Sequence, residues 1–386
     1  MRDILFDFIK SYKEVIIYGC GNNGLFLQWI LRKNHVDIQY MCDSNESLWG
    51  SSIHGVDCIS PRQLQEHREA LVIVGIYKYE EVLKKLQDYD LKKVITWNQV
   101  EFLLRDLKDH RDDLISYRNL RLNSQPELKD LLASNIKFKN IHEGKRCFII
   151  GNGPSVKNQD LALLKDEITF TVNQMARNPQ FRDIKTNYHV WADRSFFNTD
   201  LKSEGDYHLL EVMKSLPGYT SCFFPYEAAH EYVDKFHLNG FIDVNYYSAD
   251  AYVYGDELVD LTGPIRGGYT VVQYAIRLAA YMGFKEIFLL GCECTTILNV
   301  INARLWEYST ATHCYDIDEK EKERARNMYM KLPMRAYYRS EQGVLEEYEI
   351  IKRYCDDHGI LIYNCTPGGL LEELPRCSFD AIIHGI

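Results

Sequence analysis

Nowhere in the 386 residues does an apolar run reach the roughly 20 uninterrupted positions that a membrane span requires. The amino-terminal MRDILFDFIKSYKEV lacks the apolar stretch of a signal peptide, so a cytoplasmic protein is expected, with membrane contact at most peripheral. Basic residues are in deficit. Lysine and arginine number 45 against 55 aspartate and glutamate, a net charge of −10, which argues against a sequence-independent grip on nucleic acid because that needs a basic surface. Anionic substrates must therefore be met by local arrangements. The eleven cysteines include no CxxC pair, Cys292 and Cys294 being too close for one, and neither a zinc spacing nor a disulfide framework is visible. A reducing compartment fits that usage. No DxD-type dyad ends a strand in the second half of the chain, and Asp316-Ile-Asp318 falls in a charged helix or loop, so no metal is expected to be required. Internal repeats and low-complexity tracts are absent.

The chain is too long for one core to organise easily, and three regions separate. From Val15 to Trp97, short apolar runs (VIIYG, DIQYMC, ALVIVG, KVITW) alternate with helix-length amphipathic segments, the pattern of a βαβ sheet. Residues 98–140 are densely charged, carry leucines at helical spacing and show no strand signal. From Arg146 strands and helices alternate again (RCFIIG, ITFTVN, YHVWAD, SCFFP, KEIFLLG, ILIYN). The expected class is α/β, with two Rossmann-like parallel-sheet domains (1–97 and 141–386) joined by a helical connector (98–140).

In the first domain, Gly19-Cys-Gly21-Asn-Asn-Gly24 follows the strand EVIIY and opens a helix, and Asp43 ends the next strand about twenty residues on. Glycines there permit a tight turn and a phosphate at the helix N-terminus, while the acid can reach a ribose. The stretch DSNESLWGSSIHGVDCISPRQL resembles the small Rossmann-like domains attached to sugar-modifying enzymes, where the unit is often an accessory. Two readings stand: a nucleotide bound in this domain at Gly19, Gly21, Gly24 and Asp43, or a structural unit.

In the second domain, RCFIIGNGPSV places Gly151, Asn152, Gly153, Pro154 and Ser155 at a strand's carboxyl end. The glycines let backbone N–H groups approach an anion, and the proline presets the turn. Asn173, Gln174 and Asp193 end the next two strands. Open α/β sheets bind ligands at such ends, and amides that donate and accept suit a nucleobase edge and a ribose. Arg266, Gly268 and Thr270, in GPIRGGYT before the helix VVQYAIRLAAYMG, suit a phosphate or a sugar carboxylate.

Those segments, with GGYTVVQYAIRLAAYMGFKEIFLLGCE and HGILIYNCTPGGLLEELPRCSFD, resemble the Campylobacter-type bacterial sialyltransferases. They also resemble the wider family of flagellin-glycosylating motility accessory factors and hydroxymethylpterin diphosphokinases. The resemblance runs from Arg146 to the carboxyl end. It implies an inverting glycosyltransferase using a CMP-activated, sialic-acid-like donor, with no other cofactor. Acceptors would be capsule, lipopolysaccharide or flagellin glycans, and a homo-oligomer is compatible. The sialyltransferases carry Thr-Ser-Gly where this chain has Thr270-Val271-Val272. Their histidine base aligns near Gln342, so the nearest histidine, His313, becomes the expected base. Neighbouring acids Asp316, Asp318 and Glu319 would raise its pKa, and Tyr315, Tyr337, Tyr338 and Arg339 would steady the leaving phosphate. The alternatives are a Mg-dependent pterin-type diphosphokinase and a non-enzymatic sugar-nucleotide-binding protein.

Overall fold

Apolar runs with no polar interruption are what a parallel sheet covered on both faces demands, and in the computed structural model they form two such sheets. The structure describes residues 2–76, 79–100, 102–103, 111–123, 125–201, 206–250, 253, 255–305, 313–331 and 333–385. The chain divides into compact units 1–125 and 126–386. The division falls inside the charged 98–140 segment, between helices Arg111–Asn123 and Pro126–Ala133. Each side of it joins its own unit: Tyr117 packs edge-on against Phe26, and the Asn135 side chain donates to the carbonyls of Tyr246 and Leu261.

The first unit has β1 (Val15–Tyr18), β2 (Tyr40–Cys42), β3 (Ser52–Ile53), β4 (Val56–Ile59), β5 (Leu71–Val74) and β6 (Lys93–Thr96). Their order is β3-β4-β2-β1-β5-β6, parallel except for the β3–β4 hairpin. About four strands were expected. The hairpin is the addition, and its turn explains it: His54 and Gly55 both have positive φ, the geometry that matches the twist of a two-residue hairpin loop.

Among the described residues the main sheet of the second unit has seven strands: β7 (Arg146–Ile150), β8 (Thr169–Val172), β9 (Thr186–Val190), β10 (Ser221–Pro225), β11 (Asp243–Tyr247), β14 (Glu286–Leu290) and β15 (Leu361–Asn364). They are all parallel, in the order β11-β10-β9-β8-β7-β14-β15. A separate two-stranded piece pairs β12 (Ala249–Asp250) with β13 (Ile265–Arg266). Alternation sorts the core. Cys147 and Ile149 face the helix Val271–Tyr281, packing with Ala275 and Ile276, whereas Phe148 and Ile150 face the opposite layer with Leu161, Trp191 and Phe224. Strand β11 was not expected, since DVNYY carries little apolar signal. Both units are Rossmann-like, and both reverse winding direction at a central strand, between β1 and β5 and between β7 and β14. Ligands of such sheets bind outside the carboxyl ends of the strands at that fork.

One cysteine expectation is corrected. Cys365 and Cys377 form a disulfide with Cα atoms 4.9 Å apart. The parallel bridge between Asn364 and Arg376 sets the two cysteines that follow side by side, a proximity that residue spacing alone does not reveal. Among the described residues no helix is long and apolar enough to cross a membrane.

A Cβ added at Gly24 would lie 1.7 Å from the carbonyl oxygen of Gly19, so strand β1 and its helix can approach only through a glycine. Gly24→Ala should lower stability by roughly 1–3 kcal/mol in urea denaturation, the magnitude of an overpacked contact. An unchanged unfolding midpoint would contradict the packing described.

Candidate functional site

At the β7/β14 fork the N–H groups of Gly151, Gly153 and Ser155 already have partners within the protein. The Gly151 N–H donates to Leu290 O at 2.7 Å, that of Gly153 to Gly291 O at 3.0 Å and that of Val156 to Gly153 O. The Ser155 N–H donates to Glu293 Oε1 at 2.7 Å. The expected cradle of amides around an anion is therefore corrected for Gly151, Gly153 and Ser155, whose donors face inward. The glycines serve close packing instead: a Cβ at Gly151 would meet Gly291 O at 2.4 Å, and one at Gly153 would lie 1.4 Å from Glu293 Oε2. Glu293, three residues beyond the end of β14, is 8% exposed. Its backbone is enclosed from the far side, where Leu370 N donates to Glu293 O and Gly369, at φ +88°, lies against the Glu293 Cα.

Three buried polar atoms at this fork have no partner among the described residues: Glu293 Oε2, Asn152 Oδ1 and Ser155 Oγ. Two can only accept and the third can do both, so only hydrogen-bond donors would satisfy the whole set. Leaving such atoms unpaired costs about 1–3 kcal/mol apiece.

At the end of β8, Asn173 adopts a left-handed conformation, φ +46°. Its Oδ1 accepts from Ala192 N at 3.2 Å. Gln174 is buried, and its Oε1 accepts from Arg177. Asp193 is exposed beyond β9, with Oδ1 accepting from the N–H and hydroxyl of Ser195. These three side chains hold the rim of the crevice, and of them Asp193 is the exposed one.

Arg266 is held by an anion of the protein itself. Its Nε donates to both oxygens of buried Glu347, at 2.8 and 2.9 Å, and Arg277 binds the same carboxylate. The expected phosphate or carboxylate contact is corrected on that ground. Gly268 fits against Arg277 and Gln273, where a Cβ would come within 3.0 to 3.1 Å. Thr270 caps the helix Val271–Tyr281 in a capping box with Gln273, whose Oε1 accepts from Tyr269 N and Thr270 N.

His313 is brought to the fork by its neighbour. Cys314 N donates to Asn152 O at 2.8 Å, and Asn178 Nδ2 donates to Cys314 O at 2.7 Å, so this segment straps the GNGPS turn. The His313 ring stacks on Tyr315, over which the Arg177 guanidinium sits at 4.8 Å. Burial first, then Arg177, lowers the His313 pKa below its usual 6.5, with Glu321 opposing. The expectation that nearby acids raise it is corrected: Asp316 pairs with Lys157, and Glu321 is bound by Arg177. Burial pushes Tyr315 upward, so its phenol stays protonated. Residues 306–312, just before His313, lie outside the described residues. Tyr337 donates to Met328 O and packs with Tyr329, while Tyr338 and Arg339 are exposed. These contacts give none of the three a bond to the fork.

Residues 116–297 match the family model described as 6-hydroxymethylpterin diphosphokinase MptE-like. The match includes the GNGPS turn, Asn173, Asp193, the Arg266–Thr270 approach and Glu293; His313 and Tyr337 to Arg339 lie beyond it. No curated protein matches the chain. Three solved structures are similar over small parts. UDP-D-quinovosamine 4-dehydrogenase from Vibrio fischeri is 21% identical, covering 22% of this chain and 77% of its own, with TM-score 0.20. RSP, a Rex-family repressor, is 19% identical over 25% of this chain and 48% of its own, with TM-score 0.20. RSP in complex with beta-NADH gives 14%, 30%, 68% and 0.21 in the same order. At these scores none carries an argument here.

In the first unit Gly19, at φ +107°, and Gly24 shape the expected turn, and nothing lies within 4 Å of a Cβ added at Gly21. Asp43, however, accepts from Cys20 N at 2.7 Å and from Asn45 N at 2.8 Å. Each oxygen thus holds one backbone amide, which ties the acid into the turn. A surface cavity of about 600 Å³ lined by Arg177, Arg182 and Tyr219 shares no residue with the β7/β14 fork, and its Arg177 is bound to Glu321. Among the described residues no three His, Cys, Asp or Glu side chains group as a metal site would need.

Sequence reasoning missed Glu293 and His189. The signal for Glu293 was a lone acid directly after the apolar run IFLLGC. His189 is fully buried in β9, its Nε2 bonded to Asn173 O at 2.8 Å and its Nδ1 to Thr171 Oγ1 at 2.7 Å. A carbonyl only accepts, so Nε2 carries the proton and the threonine hydroxyl donates to Nδ1. Burial pushes this imidazole down to about 3. A folded pKa below the unfolded 6.5 means the unfolded chain binds the extra proton, so stability is present above pH 6.5 and lost as pH falls towards 3. Between neutral pH and pH 5 the loss from His189 should be roughly 2 kcal/mol by urea denaturation. His189→Asn should flatten that slope, and an imidazole resonance titrating above pH 5 would contradict the assignment.

Proposed function

We propose that the chain is a nucleotide-dependent transferase whose donor binds at the β7/β14 fork. In the first reading it moves an acidic, sialic-acid-like sugar from a CMP-activated donor to a hydroxyl of a cell-surface glycan, with inversion and no required metal. The supporting observation is the set of unpartnered acceptors Glu293 Oε2, Asn152 Oδ1 and Ser155 Oγ. Ribose and sugar hydroxyls, or the amino group of cytosine, offer donors to such a set, whereas the negative charge of Glu293 disfavours a phosphate against it. Asp193 and Asn173 line the same rim. The second reading, pyrophosphate transfer from ATP to a pterin-type alcohol, is favoured by the family match over residues 116–297.

The acceptor chemistry is shared. A hydroxyl oxygen attacks either the anomeric carbon, releasing CMP as the sugar–phosphate C–O bond breaks, or the β-phosphorus of ATP, releasing AMP as the α–β bridge breaks. Either way the hydroxyl proton needs a base. His313 is assigned that role because its lowered pKa keeps the imidazole neutral at pH 7. The first unit is assigned an accessory role, its Asp43 being committed to backbone.

Mass spectrometry of CMP-sialic acid and of ATP with 6-hydroxymethylpterin, each with Mg²⁺ or EDTA, distinguishes the readings. Release of CMP that survives EDTA is expected. Release of AMP in Mg²⁺ alone would replace the first reading by the second, and turnover of neither donor would remove both. His313→Ala should lower kcat about 10²–10⁴-fold with donor affinity nearly kept, and the acid limb of the wild-type pH profile should lie below 6.5. A loss under tenfold in a normally folded variant would exclude His313 as base.

A further inference from the structure

The acidic chain carries one stretch of opposite character. Between positions 324 and 340 stand Arg324, Arg326, Lys331, Arg335 and Arg339, with no aspartate or glutamate among them. All five are exposed. None makes an ion pair among the described residues, although Glu319 and Glu323 are exposed earlier on the helix Glu319–Lys331.

Large apolar side chains are exposed beside them. Met328 is 51% exposed, Met330 50% and Tyr338 58%, and on a neighbouring helix Leu298 and Leu305 are exposed as well. The packing explains why these face outward. Helices Thr296–Arg304, Glu319–Lys331 and the start of Met334–Asp357 share a small core of Val300, Ala303 and Tyr329, with Ala325, Met334 and Tyr337 against it. That core is complete without Met328 or Met330. Helical spacing then sets Arg324, Met328 and Lys331 on one stripe at i, i+4 and i+7. Arg335, Tyr338 and Arg339 form a second stripe at i, i+3 and i+4.

We infer that the outward face of this three-helix piece docks on an anionic membrane surface. Unbranched methionines and a tyrosine can enter the headgroup layer, while arginines and a lysine extend their charged ends to lipid phosphates. From Glu319 to Arg339 seven lysines and arginines stand against three glutamates, an excess of one sign that complements an extended anionic surface. The docking is independent of which donor the enzyme uses.

The test is co-sedimentation of the full chain with phosphatidylcholine vesicles, with and without phosphatidylglycerol. Binding is expected only with the anionic lipid and should weaken with salt. Arg326→Ala/Arg335→Ala should lower the partition coefficient about 25-fold, at roughly five-fold for each cation removed. Met328→Ser/Met330→Ser should lower it while leaving the salt dependence in place. All sites are exposed, and circular dichroism verifies folding. Four outcomes would overturn the inference: no preference for anionic vesicles, binding indifferent to the arginine pair, binding to heparin that matches vesicle binding and ignores the methionine pair, or self-association through this face without vesicle binding.

Discussion

A buried carboxylate pressed against a glycine organises the second unit. Glu293 fills the space that any side chain at residue 153 would take, and it holds the Ser155 amide. The turn after β7, the turn after β14 and the Gly368-Gly369 segment after β15 are joined through this one residue, because Leu370 N closes on its carbonyl. Arg376 secures the last segment by donating to the carbonyls of Thr366, Gly368, Gly369 and Leu371. The strap carrying His313 then attaches to Asn152. A fork assembled in this way leaves acceptors unpaired, and the proposed chemistry rests on that sign.

Both units use the same device. In the first, Asp43 at the end of β2 binds the amide of Cys20 inside the glycine turn; in the second, Glu293 binds that of Ser155. Each carboxylate occupies a donor that a phosphate would otherwise claim. The difference lies in what remains. Both Asp43 oxygens hold a backbone amide, whereas Glu293 keeps Oε2 without a partner among the described residues, and the proposed ligand site in the second unit rests on that difference.

The architecture was legible because parallel strands buried on both faces must be apolar along their length, as VIIY, LVIV, RCFII and EIFLL are. The weaker elements escaped for the same reason: β3 and β11 lie at sheet edges, where burial imposes less. The glycine turns were also legible, but their purpose was not. A glycine that admits a phosphate and one that admits a neighbouring carboxylate read identically, and the distinguishing contact between residues 153 and 293 is distant in sequence. Arg266 and Asp43 show the same limit, since each had a partner, Glu347 for one and backbone for the other, that spacing does not disclose. Burial likewise reversed the direction expected for His313 from its acidic neighbours.

Amide hydrogen exchange of the full chain, free and with CMP or ATP, tests the central claim most directly, because it reports where a nucleotide orders the backbone without requiring turnover. Protection should rise at residues 151–156, 291–295 and 313–315, with no change at 19–24. Protection confined to the glycine turn of the first unit would contradict the assignment of the ligand to the β7/β14 fork.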